Sequence, residues 1–197
     1  MKQKESNLKN MILSLFMVTL IAGISLSVVH KITEGPIAKA KAERKMKALK
    51  AVLPAFTNDP AAEMKKVPCG KEGDSVEIYP ATKDGQPAGA AVISFSDKGF
   101  SGRIKIMTGF FPDGKIRNIV VLEQKETPGL GNKITDEAFT GQYRDKNPDS
   151  FDLRVKKDGG EVDALTGATI SSRAFSEAVQ TAYDFFKDTE IHSKTGK

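Results

Sequence analysis

The sequence predicts an α+β protein with one N-terminal transmembrane helix, a linker helix, and an antiparallel sheet packed with helices. Three observations predict this class. Residues 11–29 are apolar and free of charge, residues from about 75 onward alternate in polarity between turn signals, and residues 172–188 have an amphipathic helical pattern. Strands that precede a helix, instead of alternating with helices, favour an antiparallel sheet.

The segment from Met11 to Val29 is long enough to cross a membrane. Its 19 residues carry no charge, and as a helix they span about 28 Å. A cleaved signal peptide is the alternative, because Ser25 and Ser27 offer small residues at a permissible spacing. The run exceeds the usual apolar core of a signal peptide, about 7–15 residues, which favours a retained anchor. Residues 1–10 then form the N-terminus that precedes the span.

The positive charge of the chain is confined to its N-terminal quarter. Residues 1–53 contain ten Lys or Arg against three acidic residues, whereas the remainder contains 20 against 22. A nucleic-acid-binding domain needs a basic surface on its folded part, so no nucleic acid is expected as a partner. The pattern favours contact with the lipid bilayer. Basic residues flank the apolar segment on both sides, so the charges do not decide its orientation.

Residues 30–53 form the predicted linker helix. The pair Gly35-Pro36 predicts a break, and Pro54 ends the helix. Four apolar residues share one face by their spacing: Ala42, Met46, Leu49 and Leu53. The basic residues around them face either solvent or anionic head groups.

The soluble domain is predicted at residues 54–188, with its core at about 75–188 and a polar tail at 189–197. Strands are predicted at 90–95, 102–110, 115–122 and 151–155, and a short helix at 136–143. Turn signals occur at 83–85, 111–114 and 157–160. In the last helix an apolar stripe is expected to pack on the sheet: Phe175, Val179, Ala182 and Phe186.

The residues that usually perform difficult chemistry are scarce. There is one cysteine, Cys69, and there are two histidines, His30 and His192. Both histidines lie outside the expected folded core, and one thiol builds neither an intrachain disulfide nor a thiolate metal site. We therefore expect no metal site and no catalytic side chain, and Cys69 is interpreted as an incidental thiol. Any difficult chemistry must therefore come from a cofactor.

The first motif runs from Asp163 to Ser172, where a turn leads into the last helix. Several hydroxyl groups gather at this helix start. One interpretation is a simple N-cap, because Ser and Thr accept hydrogen bonds from free backbone amides. The other is a phosphate site, because the same amides and the helix dipole attract an anion. The spacing is not that of a P-loop.

The second motif runs from Glu126 to Asn132, directly after a predicted strand. Its Pro-Gly-Leu-Gly sequence predicts a loop whose backbone lies close to its neighbours. Taken alone it is only a turn. It does not match a dinucleotide-binding fingerprint, because Ile134 stands where a third glycine is needed.

Together these motifs resemble a known family. The string Asp-Ala-Leu-Thr-Gly-Ala-Thr at 163–169 and the string Glu-Thr-Pro-Gly-Leu-Gly at 126–131 are similar to the two signatures of covalent FMN-binding domains. Such domains occur in the G subunit of Rnf complexes and in the C subunit of the sodium-pumping NADH:quinone oxidoreductase. The compact length of this chain is more similar to the Rnf protein. The order of a single span, a linker and this domain strengthens the resemblance.

The resemblance implies a role for each matched residue. Thr169 would carry FMN through a phosphoester made by a flavin transferase, and Asp163 would belong to the sequence that this transferase recognises, with Thr166, Gly167, Ala168 and Thr169. The residues implied to line the cofactor are Glu126, Thr127, Gly129, Leu130, Gly131, Thr166, Gly167, Ala168, Ile170 and Ser171.

The resemblance also implies the setting of the protein. It would be a single-pass protein of the cytoplasmic membrane, with residues 1–10 as a cytoplasmic N-terminus and its soluble domain on the outer face. It would pass electrons within an Rnf-type complex that couples ferredoxin:NAD electron transfer to ion translocation, alongside the other subunits of that complex. Two alternatives stay open: the corresponding quinone-reductase subunit, and a membrane-tethered binding or structural module without redox function.

Overall fold

A computed structural model describes residues 8–70 and 73–189 of the chain. It divides into two compact units, one that ends at Arg44 and one that begins at Lys45. Residues 1–7 of the predicted N-terminus, and residues 190–197 of the predicted tail with His192, lie outside the described residues. The α+β class predicted from the sequence is confirmed, as is the antiparallel sheet.

The first unit is helical and belongs to helix α1, Leu8–Val52. An 18-residue stretch of this helix has a mean hydropathy of 2.5, which is apolar enough, at that length, to cross a membrane. Its large apolar side chains are exposed around the helix; Phe16, for example, is 59% exposed. A helix that is apolar on all sides is stable in lipid and poorly soluble in water.

The break predicted at Gly35-Pro36 is wrong, because α1 continues through Pro36. A proline inside a helix removes one backbone hydrogen bond and does not by itself remove a whole turn. One turn earlier, the Thr33 hydroxyl donates to the carbonyl of Val29 at 2.8 Å. The following residues, 37–51, are rich in Ala and Lys, which favour helix.

The second unit, which begins at Lys45 and is called the soluble unit from here on, contains a five-stranded antiparallel sheet in the order β1-β2-β3-β4-β5. The strands are β1 Lys65–Pro68, β2 Ser75–Lys83, β3 Gln86–Gly99, β4 Gly102–Phe110 and β5 Ile116–Glu123. Each strand therefore pairs with its neighbour in sequence. The turn signals at 83–85 and 111–114 join β2 to β3 and β4 to β5, as predicted.

Helix α3, Thr169–Lys187, covers one face of the sheet. The predicted apolar stripe is confirmed, since Phe175, Val179, Ala182 and Phe186 are fully buried. They pack against alternate residues of β4, among them Ile104 and Ile106.

The end of α1 covers the other face of the sheet. Leu49 and Leu53 are each 2% exposed, whereas Met46 of the predicted apolar face is 46% exposed. Ala42 is exposed as well. The buried face is instead Ala48, Leu49, Val52 and Leu53, which pack on β2, β3 and β4. The last turns of the predicted linker therefore complete the core of the soluble unit.

A close backbone contact marks this second interface. A Cβ atom at Gly109 of β4 would lie 2.1 Å from the carbonyl oxygen of Val52. Only glycine lets the helix end approach the strand so closely. Nearby, the ammonium of Lys45 donates to the carboxylate of Glu77 at 2.5 Å.

The segment between β5 and α3 is mostly irregular. The predicted helix at 136–143 is present as α2, Glu137–Thr140, followed by a 3₁₀ turn, Gly141–Tyr143. The strand predicted at 151–155 is wrong: only Val155 forms a bridge, with Val162. The backbone here folds on itself, because the amides of Glu161 and Val162 donate to the carbonyls of Asp152 and Arg154.

Candidate functional site

Three segments of the soluble unit meet at the N-terminus of α3. They are the turn between β3 and β4, the loop after β5, and the loop that leads into α3. They enclose a pocket of about 370 Å³. Its lining residues are Phe100, Glu126, Thr127, Leu130, Gly131, Lys157, Gly167, Ala168, Thr169, Ile170 and Ser171.

The helix start presents backbone amides to this pocket. Ala168 is the N-cap residue, and the first helical hydrogen bond runs from the amide of Ser172 to its carbonyl at 3.0 Å. The three amides before Ser172 belong to the first turn, which has no carbonyl four residues earlier within the helix. An alanine side chain accepts no hydrogen bond, so the simple hydroxyl cap is not the arrangement found at this N-cap.

The hydroxyl groups around the helix start differ sharply in accessibility. Ser171 is 1% exposed and its Oγ donates to Glu126 Oε2 at 2.5 Å. Ser172 is fully buried; its Oγ accepts from the Leu165 amide and donates to the Ala168 carbonyl, both at 3.0 Å. Thr169 is half-buried and lines the pocket, whereas Thr166 is exposed and lies outside the lining.

Glu126 connects the three segments. The residue is 4% exposed. Oε1 accepts from the backbone amide of Ser101 at 3.0 Å, and Oε2 accepts from Ser171. Two glycines make room for it: a Cβ atom would lie 2.8 Å from Oε1 at Gly99 and 2.7 Å from Oε2 at Gly131. The pocket wall is therefore organised around a buried carboxylate.

Lys157 places its side-chain ammonium next to the Thr169 hydroxyl. Its Nζ lies 3.3 Å from Thr169 Oγ1. The next residue, Asp158, accepts two hydrogen bonds from the Arg173 guanidinium of α3, at 2.7 and 2.6 Å. These hydrogen bonds lower the pKa of Asp158 below its ordinary value. The loop that carries Lys157 is thus fastened to the helix.

The remaining wall is apolar and open to solvent. Phe100 is 68% exposed, Leu130 is 45% exposed and Ile170 is 48% exposed. Among the described residues from Lys45 to Thr189, the only other large hydrophobic side chain exposed to this degree is Met46 of α1. Three exposed apolar side chains on one pocket are suited to an apolar or aromatic ligand.

Most of the residues singled out by the sequence come together here. Of the predicted cofactor-lining residues, Glu126, Thr127, Leu130, Gly131, Gly167, Ala168, Ile170 and Ser171 line the same pocket as Thr169. Gly129 and Thr166 do not line it. Gly129 occupies a turn with φ +78°, a conformation that favours glycine. Asp163 is exposed and pairs with Lys156 at 2.8 Å.

Two lining residues, Phe100 and Lys157, were not identified from the sequence. Phe100 lies in the turn Gly99-Phe100-Ser101-Gly102, where an aromatic residue at the tip of a tight turn is a signal that was available. Lys157 lies in a segment that the sequence predicts only as a turn. Its proximity to Thr169 depends on the ion pair between Asp158 and Arg173, which sequence spacing does not reveal.

The pocket fits a planar aromatic group that carries a phosphate. Its exposed apolar side chains would cover a ring, while the first-turn amides of α3 and Lys157 favour an anion. In agreement with this chemistry, residues 99–184 match the profile of the FMN-binding domain family.

Curated relatives define the family more narrowly. The G subunit of the ion-translocating oxidoreductase complex of Aliivibrio fischeri is 31% identical, over 94% of this chain and 92% of the relative. The corresponding protein of Photorhabdus laumondii is 36% identical, over 78% of each chain. The chain belongs to this family of G subunits. With the apolar segment of α1, this membership makes it a membrane protein.

A more distant relative agrees with this placement, and a solved structure has a similar fold. The G subunit of the Na⁺-translocating ferredoxin:NAD⁺ oxidoreductase complex of Acetobacterium woodii is 27% identical, over 89% of this chain and 90% of the relative. The crystal structure of the C subunit of the Na⁺-translocating NADH-quinone reductase from Parabacteroides distasonis has a TM-score of 0.50 and 21% identity, covering 77% of this chain and 84% of that one. This structure supports the fold alone.

Proposed function

We propose that this chain is the membrane-anchored electron-transfer subunit of an Rnf-type complex and that it carries FMN ester-linked through its phosphate to Thr169. Bound there, the flavin supplies the redox chemistry, and the protein supplies attachment, orientation and electrostatics.

The selection of one hydroxyl carries the proposal. Ser171 and Ser172 are buried and hydrogen-bonded within the protein, so neither is open to a modifying enzyme. Thr166 is exposed but lies outside the pocket lining. Thr169 alone of these four combines access with a place in the pocket wall, next to a cation and a helix N-terminus.

The surrounding residues have separate tasks in this proposal. Leu130 and Ile170 would pack against the ring system, and Phe100 would shield it from one side. Gly167, with φ +76°, keeps the approach to Thr169 free of a side chain. The exposed Asp163, with Thr166 to Thr169, would form the surface that a flavin transferase recognises.

The partners and the orientation belong to the same proposal. The names of the relatives support assembly with the other subunits of an ion-translocating oxidoreductase, so the chain would not turn over alone. The resemblance to covalent FMN-binding domains supports an outer-face location for the soluble unit. Flanking charges do not oppose it, because long domains are translocated largely regardless of such charges. Co-purifying subunits would distinguish this assignment from the quinone-reductase alternative.

The decisive experiment is a mass measurement on the full chain, produced with a flavin transferase and then denatured. The wild-type chain is expected to gain one adduct with the mass of FMN, and peptide mapping should assign this adduct to Thr169. Thr169→Ala should fold normally and gain none. Thr181→Ala removes a hydroxyl of the same helix outside the pocket lining, so it serves as the matched control and should gain the adduct. A wild-type mass equal to that of the polypeptide, or an adduct retained by Thr169→Ala, would contradict the proposal.

A further inference from the structure

Two neighbouring lysines on the same 3₁₀ turn, Lys156–Asp158, make different contacts. Lys156 Nζ pairs with Asp163 at 2.8 Å and lies outside the pocket lining. Lys157 Nζ is directed instead to Thr169 Oγ1, at 3.3 Å. Among residues 8–70 and 73–189, no carboxylate forms an ion pair with Lys157. A cation at the pocket is thus left available for a negatively charged ligand.

The direction of Lys157 is set by the residues on either side of it. Val155 is 1% exposed and anchors the start of the turn in the core. At its end, the Asp158 carboxylate is fastened to Arg173 in the second turn of α3. The Asp158 amide also donates to the Val155 carbonyl at 2.8 Å. The turn is therefore held at both ends, and Lys157 projects from it over the helix start.

We infer that Lys157 is a binding residue for the phosphoryl group attached at Thr169. A phosphodiester keeps one negative charge, and its oxygens would lie within reach of an ammonium that already contacts the esterified oxygen. A hydrogen bond between charged groups is stronger than a neutral one. The inference rests on the proposed function, because it assumes that Thr169 is the attachment point.

Chemical labelling tests the pairing in the wild-type sequence. The full chain, loaded with flavin, and the flavin-free Thr169→Ala variant are treated with an amine-acetylating reagent, and peptide mass spectrometry follows each lysine. Acetylation of Lys157 is expected to be about tenfold slower in the loaded chain, the range of a charged hydrogen bond. Lys156 is the internal control and should react equally in both.

Phosphorus NMR separates ion pairing from simple shielding by the ring. The ³¹P resonance of the loaded chain should move in Lys157→Gln and stay in place in Lys156→Gln. The inference would be overturned if Lys157 were acetylated equally in both forms, or if the ³¹P resonance had the same position in all three loaded chains. In either case, a flavin adduct on the wild-type chain would still support the proposed function. A wild type without an adduct would overturn both.

Discussion

Glu126 shows how a single side chain holds the pocket together. Its carboxylate contacts the β3–β4 turn through the Ser101 amide and α3 through the Ser171 hydroxyl. A buried carboxylate is costly unless hydrogen bonds replace its water. Here those hydrogen bonds come from two segments distant in sequence. The same interaction therefore satisfies the carboxylate and fixes the relative positions of the pocket walls.

Replacing Glu126 with alanine should destabilise the soluble unit by about 2 kcal/mol, because the buried Ser171 hydroxyl and the partly buried Ser101 amide lose their acceptor. The measurement is chemical denaturation in a Thr169→Ala background, so that a bound flavin does not contribute. The neighbouring exposed residue offers the control, Lys125→Ala, which should change stability by less than about 0.5 kcal/mol. Equal midpoints for the two variants would show that Glu126 does not connect the segments.

At the scale of residues, the sequence predicted most of the pocket but not its cation or its aromatic wall. The two motifs are contiguous strings, so their lining residues could be recognised locally. Phe100 and Lys157 join them only through tertiary contacts, such as the pair between Asp158 and Arg173. The attachment at Thr169 stays a prediction.

At the scale of elements, the end of α1 is fastened to the sheet by Glu77. Its carboxylate accepts from the Lys45 ammonium and from the Tyr79 hydroxyl, each at 2.5 Å. Burial acts to raise the pKa of Glu77, but these hydrogen bonds and the charges of Lys45 and Lys105 outweigh it. The pKa of Glu77 therefore lies below its ordinary value.

This lowered pKa predicts a pH-dependent contribution to folding. The contribution of Glu77 is present above the unfolded-state pKa, near 4.5, and is lost as the pH falls through the lower pKa of the folded state. Glu77→Gln should therefore cost about 1 kcal/mol at pH 7. The cost should shrink below about pH 4.5, as denaturation of both proteins between pH 3 and 7 would show. A cost independent of pH would contradict this account.

The elements that sequence reasoning placed incorrectly have separate physical causes. A Gly-Pro pair weakens a helix locally, yet the residues after it favour helix and α1 continues through Pro36. Residues 151–155 have strand-like composition, but their backbone is paired within a tight loop. Met46 lies on the apolar face predicted by spacing, whereas contact with the sheet buries Ala48 and Val52 instead. Local helix propensity decided the first case, backbone pairing within the loop the second, and tertiary packing the third.

At the scale of the whole molecule, the soluble unit begins inside a helix. The sheet is covered by α3 on one face and by residues 48–53 on the other. Without those residues, Tyr79, Ile93 and Met107 would be exposed to water. The composition of α1 alone does not reveal this, because its charged second half is typical of a solvated linker.

Two shortened chains test this boundary. A chain of residues 45–197 should fold as a soluble monomer. A chain of residues 54–197 should lose about 5 kcal/mol or more of the stabilising free energy that comes from apolar burial, and it should aggregate. Gel filtration and thermal unfolding would compare them. Equal unfolding temperatures would mean that residues 45–53 contribute nothing to the fold.

The sequential order of the strands has a consequence for biosynthesis. Each strand pairs with the one made just before it, so the sheet can assemble while the ribosome is still working. The pocket cannot, because its walls include Glu126, Lys157 and the first turn of α3. A nascent chain that stops short of α3 would be a tethered sheet with no binding site. Any ligand of this pocket must therefore bind after translation has passed that helix.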